Sequence, residues 1–268
     1  ESKANQIQNF FAERIGDINV LAKSADIVEL NEDLLKIEKQ LNVSSTGPFP
    51  VNNESIKKAT ALHEEFFQTY AKEYGYYDIF LIDAKHGHVI YSQAKESDYG
   101  ANLAVGSLKN SGLAQAWRQA KELKRPVFID MEPYAPSANA PAMFLGTPVY
   151  IHGHLESILV FQISDRSINK IMQFRAGYGD SQEDYLVGED KLMRSDSFLD
   201  PEGHSLKASF ENNTKVNTDA VNNGLSGQSN TEIIIDYNNN PVLSAYKPIK
   251  IGQDIDWILI SEIDEAEV

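Results

Sequence analysis

The sequence repeats itself at an offset of one hundred positions, and this repeat limits the possible folds more than any other feature. Each copy has two apolar runs separated by a short polar turn, which is the pattern of a β-hairpin. Because so short a turn joins antiparallel strands, the repeat predicts two related α/β units with antiparallel sheets. The identical pairs are Pro141 and Pro241, Pro148 and Pro248, Ile151 and Ile251, Ile158 and Ile258, Leu159 and Leu259, and Ile163 and Ile263.

Further patterns complete each unit upstream of its hairpin. Apolar runs typical of strands lie at residues 80–83 and 127–130 in the first half, and at 185–188 and 233–236 in the second. Residues 54–74 and 107–124 carry apolar side chains at helical spacing, and so do the first residues of the chain from Ile7 to Ile18. Each unit should therefore contain two strands, a helical segment and three further strands.

The resulting prediction is an α+β fold in three parts. Residues 1–53 form a long N-terminal helix and a connecting segment, in which Gly47, Pro48 and Pro50 indicate a loop. Residues 54–165 form the first unit and residues 166–268 the second, each built on a central antiparallel sheet.

Composition excludes several classes of protein. Among 268 residues, 39 are acidic and 24 basic, for a net charge of −15, and no cysteine is present. The charge disfavours duplex binding, which needs a basic surface, and the missing thiols exclude disulfides. No apolar run reaches the ~18 residues of a membrane span, and no signal peptide is recognisable. Because the helix pattern is already under way at the first residue, we expect a piece excised between two membrane anchors; the alternative is a trimmed soluble enzyme.

The two copies differ at one place that points to binding. Ten residues separate Asp130 from Pro141, whereas four separate Asp236 from Pro241. The first unit therefore carries a six-residue, proline-rich insertion. Binding function concentrates in loops on a rigid scaffold, so we expect a preformed lip over a pocket, with Tyr134 as its best candidate and Tyr134→Ala harmless to the unliganded protein. The alternative is a lengthened hairpin.

These patterns, taken in order, resemble the double Cache domain, a tandem PAS-like extracytoplasmic sensor of bacterial receptors. The stretches that carry the resemblance are residues 78–83 with Gly87, residues 89–91, 95–103, 133–137, 141–144, 183–188 and 192–197. The resemblance implies that the unit of residues 54–165 is membrane-distal and binds a small molecule, while the proximal unit relays the signal. It also implies a periplasmic or extracellular location. The parent would be an inner-membrane protein, first a histidine kinase and second a chemoreceptor, and it would form a homodimer through the N-terminal helix.

The resemblance also directs attention to individual ligand-binding residues. The amino-acid-binding subgroup has Arg, Trp and Tyr on the distal helix, followed by a Tyr and an Asp on later strands. Trp117 and Asp130 fit this pattern, but Gln115 and Arg118 stand where the helix would have Arg and Tyr. Asp130 would suit an amine, whereas Arg118 and Lys95 would suit an acid. The predicted ligand-binding residues are Tyr91, Trp117, Asp130, Tyr134, Ser137, Met143 and Phe144. Core packing of Trp117 and turn capping by Asp130 are the alternatives.

No catalytic, cofactor or metal site is expected. His86-Gly87-His88 and His152-Gly153-His154 span glycine turns and have no third ligand nearby in sequence. Gly-x-Ser-x-Gly, Walker and Rossmann motifs are absent from the sequence. A freestanding periplasmic solute-binding protein or hydrolase with a duplicated α/β unit stays open as the alternative to a sensor domain.

Overall fold

The computed structural model describes residues 2–268 and has the predicted α+β fold with two antiparallel sheets. The helices are α1 Lys3–Leu21, α2 Ala25–Gln40, α3 Glu54–Ala61, α4 Glu64–Tyr74, α5 Gly112–Leu123, α6 Asp165–Met172, α7 Leu206–Asn212 and α8 Asp219–Leu225. The strands are β1 Tyr76–Asp83, β2 Val89–Ser92, β3 Val127–Tyr134, β4 Ala140–Ile151, β5 His154–Ile163, β6 Glu183–Val187, β7 Asn230–Ile235, β8 Pro241–Ile251 and β9 Ile255–Asp264. Within residues 2–268, no helix is both long and apolar enough to cross a bilayer.

The chain divides into two compact units, each with one sheet. The N-terminal unit comprises Ala12–Ser164 and has the strand order β2-β1-β5-β4-β3. The C-terminal unit comprises Asp165–Val268 together with the chain up to Phe11, and has the order β6-β9-β8-β7. Helix α1 therefore contributes its first residues to one unit and the remainder to the other.

The internal repeat is confirmed at the level of strand register. In the β4–β5 hairpin Pro148 pairs with Ile158, and in the β8–β9 hairpin Pro248 pairs with Ile258. The two hairpins are thus the same element one hundred residues apart. The C-terminal unit has an isolated bridge between Val187 and Met193 in place of a second strand such as β2, so its sheet has four strands instead of five.

Two helices predicted as continuous are interrupted. The N-terminal helix breaks between α1 and α2, where Ser24 Oγ accepts a hydrogen bond from the Ile27 N–H at 3.2 Å and caps α2. The segment 54–74 breaks at Leu62 and His63 between α3 and α4. Buried residues keep helical spacing across the second break, through Ala59, His63 and Phe67, so periodicity alone does not reveal it.

Helix α5 covers one face of the N-terminal sheet and builds the core of that unit. Ser111 caps its first turn by accepting from the Ala114 N–H at 3.1 Å. The helix approaches β4 closely at Gly146, where an added Cβ would lie 3.1 Å from the Ala116 carbonyl oxygen. The buried side chains of this core include Phe80, Leu113, Trp117, Ile129, Tyr134, Phe144 and Val160.

Candidate ligand-binding site

Three carboxyl groups of the N-terminal unit form an acidic cluster, which comprises Asp78, Glu96 and Asp98. Asp78 lies on β1 on the same sheet face as Phe80, and Glu96 and Asp98 lie between β2 and α5. Asp78 and Asp98 are completely buried, and Glu96 is half-buried. Among the ion pairs of residues 2–268, none involves a carboxylate of this cluster, and nearby Lys95 pairs with Glu64 instead.

Asp78 is fully hydrogen-bonded within the protein. Its Oδ1 accepts from the backbone N–H groups of Ile79 at 2.7 Å and Ala94 at 3.0 Å, and its Oδ2 accepts from Ser92 Oγ at 2.9 Å. Burial nonetheless raises the pKa of Asp78 to about 7, and the charge of Asp98 acts in the same direction. Asp78 thus joins β1 to the segment that follows β2.

Asp98 has one oxygen paired and one oxygen without a partner. Tyr134 donates its hydroxyl proton to Asp98 Oδ2 at 2.7 Å, while Oδ1 is buried with no hydrogen bond. Burial raises the pKa of Asp98 to about 6, against the lowering effect of the Tyr134 hydrogen bond. The Tyr134 ring packs edge-on against Phe144, with ring centroids 5.0 Å apart.

Two further buried oxygens lack a donor, one on Glu96 of the cluster and one on Gln162, which pairs with Asp78 across β1 and β5. Glu96 Oε1 is unpartnered although its Oε2 accepts from the Tyr77 hydroxyl at 3.0 Å. Gln162 Oε1 is also unpartnered, while its Nε2 donates to Ser137 Oγ at 3.1 Å. Each unpaired buried acceptor costs about 1–3 kcal/mol. The cluster therefore has an excess of acceptors and of negative charge, which is the chemistry that binds an amine or another cationic donor.

The structure brings three of the seven predicted ligand-binding residues to this cluster. Tyr134 contacts the cluster directly through Asp98, and Phe144 supports the Tyr134 ring. Ser137 contacts Gln162, the cross-strand partner of Asp78. Gln162 and the cluster residues Asp78, Glu96 and Asp98 are missing from the sequence-based set. A signal for Asp78 exists in the sequence, because a charged residue stands at an inward position of the otherwise apolar run 78–82.

The other four predicted residues lie elsewhere in the unit. Tyr91 pairs with Leu81 on the opposite sheet face, where its ring meets Phe67 of α4. Met143 is buried on that face as well, one residue from Phe144. Trp117 packs in the core and donates its Nε1 proton to the Asp83 carbonyl oxygen at 3.0 Å.

Asp130 occupies an irregular part of β3. The pairing of β3 with β4 shifts between Ile129 and Glu132, and Asp130 Oδ1 accepts from the Met131 N–H at 2.7 Å. Its side chain is half-buried. Asp130 therefore makes a local backbone contact, as the turn-capping alternative expects.

The six-residue insertion lengthens a hairpin. Strand β3 continues to Tyr134, one 3-10 turn covers Ala135–Ser137, and β4 begins at Ala140. Tyr134 is 2 % exposed, so its ring is part of the core. The expectation that Tyr134→Ala spares the unliganded protein is therefore wrong, since removing a buried aromatic ring costs about 3–5 kcal/mol.

The C-terminal unit has a related polar pair at the repeat-equivalent position. Glu183 pairs with Glu262 across β6 and β9, as Asp78 pairs with Gln162 across β1 and β5. Tyr185 donates to Glu262 Oε1 at 2.6 Å, and burial raises the pKa of Glu262 to about 7. In both units, therefore, a buried carboxyl group accepts a hydrogen bond from a tyrosine hydroxyl.

Comparisons with solved structures identify proteins of the same fold. The chain is similar to the ligand-binding domain of the Pseudomonas aeruginosa PAO1 chemoreceptor PctC in complex with GABA (14 % identity, TM-score 0.58, covering 98 % of this chain and 95 % of that one). It is also similar to the periplasmic sensory domain of the Campylobacter jejuni chemoreceptor Tlp1 (13 % identity, TM-score 0.58, covering 98 % of this chain and 92 % of that one).

A third similar structure is the extracellular domain of vpHK1S-Z8, a protein assigned as a histidine kinase (12 % identity, TM-score 0.52, covering 98 % of this chain and 94 % of that one). No protein-family model matches the sequence, and no curated protein matches it. The fold is therefore the one that the double Cache resemblance predicts: the chain shares the architecture of the ligand-binding domains of chemoreceptors and histidine kinases, over nearly its whole length.

Proposed function

We propose that this chain is the extracytoplasmic sensor domain of a transmembrane signalling protein and binds a small amine at the acidic cluster of its N-terminal unit. The single observation that carries the proposal is the set of three buried acceptors without donors, on Glu96, Asp98 and Gln162, in and beside the acidic cluster. An ammonium group supplies several donors and one positive charge, so it would satisfy these oxygens and offset the cost of their burial.

The residues that would hold a ligand carboxylate do not favour an α-amino acid. Gln115 stands where the amino-acid-binding pattern has Arg. Arg118 donates its Nη1 proton to the Lys109 carbonyl oxygen at 2.5 Å and its Nη2 proton to that of Leu103 at 3.1 Å. Lys95 pairs with Glu64. With these cations engaged elsewhere, a primary amine without an α-carboxylate fits the cluster better than an amino acid or an acid does.

The parent protein is part of the same proposal. The fold is shared with sensor domains of chemoreceptors and of a protein assigned as a histidine kinase. We therefore propose a periplasmic or extracellular location, membrane anchors outside residues 1–268, and a homodimer through the N-terminal helix. The full gene tests the anchors directly: apolar segments of about 20 residues should flank this region, and hydrophilic flanks on both sides would contradict the proposal.

Ligand binding is tested by thermal-shift and calorimetric titration with three probe sets: primary alkylamines, zwitterionic amino acids and small carboxylates. We expect amines to raise the melting temperature of the wild type. Asp98→Asn should lower amine affinity by about 10–100-fold, because a hydrogen bond to a charged group is worth about 1.5–3 kcal/mol.

Tyr246→Phe is the matched control. It removes a tyrosine hydroxyl that binds Glu232 and Asn223 in the C-terminal unit, so it should leave amine affinity unchanged. Carboxylates that bind as well as amines, or Asp98→Asn protein that binds amines like the wild type, would contradict the amine site.

A further inference from the structure

The His88 imidazole of the N-terminal unit is completely buried among four hydrogen-bond acceptors. Its Nε2 lies 3.1 Å from the Ser44 carbonyl oxygen and 3.0 Å from that of Gly47. Its Nδ1 lies 2.7 Å from Glu38 Oε1 and 3.1 Å from Asp83 Oδ2. The four polar neighbours of the ring nitrogens are thus all oxygens, two of them carbonyl and two carboxylate.

These contacts require a proton or a metal ion at Nδ1. A carbonyl oxygen only accepts, so Nε2 carries a proton. In the neutral ring the lone pair of Nδ1 would then face two carboxyl oxygens, which is repulsive unless a proton or a metal ion lies between them. With the ring protonated and both carboxyl groups ionised, the set carries a net charge of −1 in a buried site. A divalent ion bound by the neutral ring makes the same set neutral, which a buried site favours.

The geometry around Nδ1 matches a metal centre in a second respect. The ligand atoms of Glu38, Asp83 and His88 all lie within 4.8 Å of one another, which is close to the separation of up to about 4.4 Å that two ligands at about 2.0–2.2 Å from one ion can have. Asp83 Oδ1 accepts from the backbone N–H groups of His86 at 2.6 Å and Gly87 at 2.7 Å, so its Oδ2 is held toward His88. Metal-binding histidines commonly donate their second N–H to a backbone carbonyl, as His88 does here.

The cluster borders an open pocket. Glu38 and Asp83 line a cavity of about 590 Å³, together with Glu32, His86 and His152 among others. The pocket therefore brings solvent to two of the three candidate ligands. Three protein ligands and one open position are typical of zinc sites that bind a further small ligand.

We propose that Glu38, Asp83 and His88 form a binding site for a divalent transition-metal ion of the Zn²⁺ type. The imidazole ligand favours such ions over Ca²⁺ or Mg²⁺, which prefer oxygen. In the sequence, His86 and His88 have no third metal ligand nearby. The structure provides two carboxylates, one of them fifty residues upstream on α2. This site shares no residue with the acidic cluster, so its test does not depend on whether the amine proposal is correct.

The test uses chelator-treated protein titrated with Zn²⁺ in a calorimeter and with Co²⁺ in a spectrophotometer. We expect saturable binding of one ion, visible d–d absorption from Co²⁺, and loss of the His88 Nδ1–H signal with retention of Nε2–H in ¹⁵N NMR. Glu38→Gln should lower Zn²⁺ affinity by about 100-fold or more, since loss of even an indirect partner of a metal ligand costs about 10–100-fold. The amide oxygen that replaces the carboxylate can still accept from the protonated ring, so this variant should fold.

Glu32→Gln is the matched control, because Glu32 lies on the same helix and lines the same pocket but contacts only the exposed His152, at 3.8 Å. Its Zn²⁺ affinity should equal that of the wild type. His86→Asn and His152→Asn detect adventitious surface binding. No saturable Zn²⁺ binding, unchanged affinity in Glu38→Gln, or affinity lost only in the His86 or His152 variants would overturn the proposal.

Discussion

Asp78 shows how one buried carboxyl group influences stability through its pKa. Its three hydrogen bonds favour the carboxylate, but burial favours the neutral acid more strongly and raises the pKa to about 7. The unfolded chain loses this proton near pH 4, whereas the folded protein retains it up to about pH 7. For this group, stability is therefore greatest in acid and falls as the pH rises through that window.

The first prediction concerns Asp78→Asn in the ligand-free protein. The amide keeps an acceptor for the Ile79 and Ala94 N–H groups and is never charged. We expect the variant to be more stable than the wild type by about 2–4 kcal/mol at about pH 8, and by only about 1 kcal/mol at about pH 5. Urea unfolding at the two pH values measures this. An equal loss of stability at both would show that the Asp78 carboxylate is needed for folding.

The second prediction concerns Trp117. Trp117→Phe removes the Nε1–H bond to the Asp83 carbonyl oxygen and part of a ring that is 6 % exposed. We expect a loss of about 1–3 kcal/mol in the free energy of unfolding, with amine affinity unchanged. Chemical denaturation and calorimetry separate the two effects. Reduced amine affinity at unchanged stability would return Trp117 to the ligand site.

At the scale of elements, the packing of α5 on β4 depends on glycine. At Gly146 an added Cβ would meet the Ala116 carbonyl oxygen at 3.1 Å and Ala120 Cβ at 3.4 Å. Helix and strand approach this closely because Ala116 and Ala120 are small and face a position without a side chain. By contrast, Gly16 in α1 is exposed and has nothing within 4 Å of an added Cβ.

The third prediction compares these two glycines. Gly146→Ala should destabilise the protein by about 1–3 kcal/mol through overpacking. Gly16→Ala should stabilise it by about 0.5–1 kcal/mol, because glycine in a helix interior loses more backbone entropy than alanine. Both changes are measured by denaturant unfolding. Shifts in the same direction for both variants would contradict the packing argument.

At the scale of the whole molecule, the net charge of −15 dominates the electrostatics. Like charges distributed over a compact chain repel, and unfolding separates them. Salt screens this repulsion over distances beyond about 10 Å at 0.1 M, while short buried hydrogen bonds are affected much less. Added salt should therefore stabilise the folded state.

The fourth prediction is a melting temperature that rises by several degrees between about 0.01 and 0.5 M NaCl at neutral pH. The control is the same titration near the isoelectric point, which the sequence places at about 4.8, where the dependence should be weak. A melting temperature that falls with NaCl at neutral pH would mean that ion pairs such as that of Lys95 with Glu64 outweigh the net repulsion.

The sequence by itself determined the fold class, the duplication and the positions of both hairpins. These follow from apolar periodicity and turn residues, which are local properties of the chain. Tertiary structure alone decided which buried polar groups meet. Asp98 reaches Tyr134, and His88 reaches Glu38, across 36 and 50 positions of sequence. Periodicity encodes which side chains are buried, but a hydrogen-bond partner depends on how separate elements pack, and both candidate sites rest on that packing.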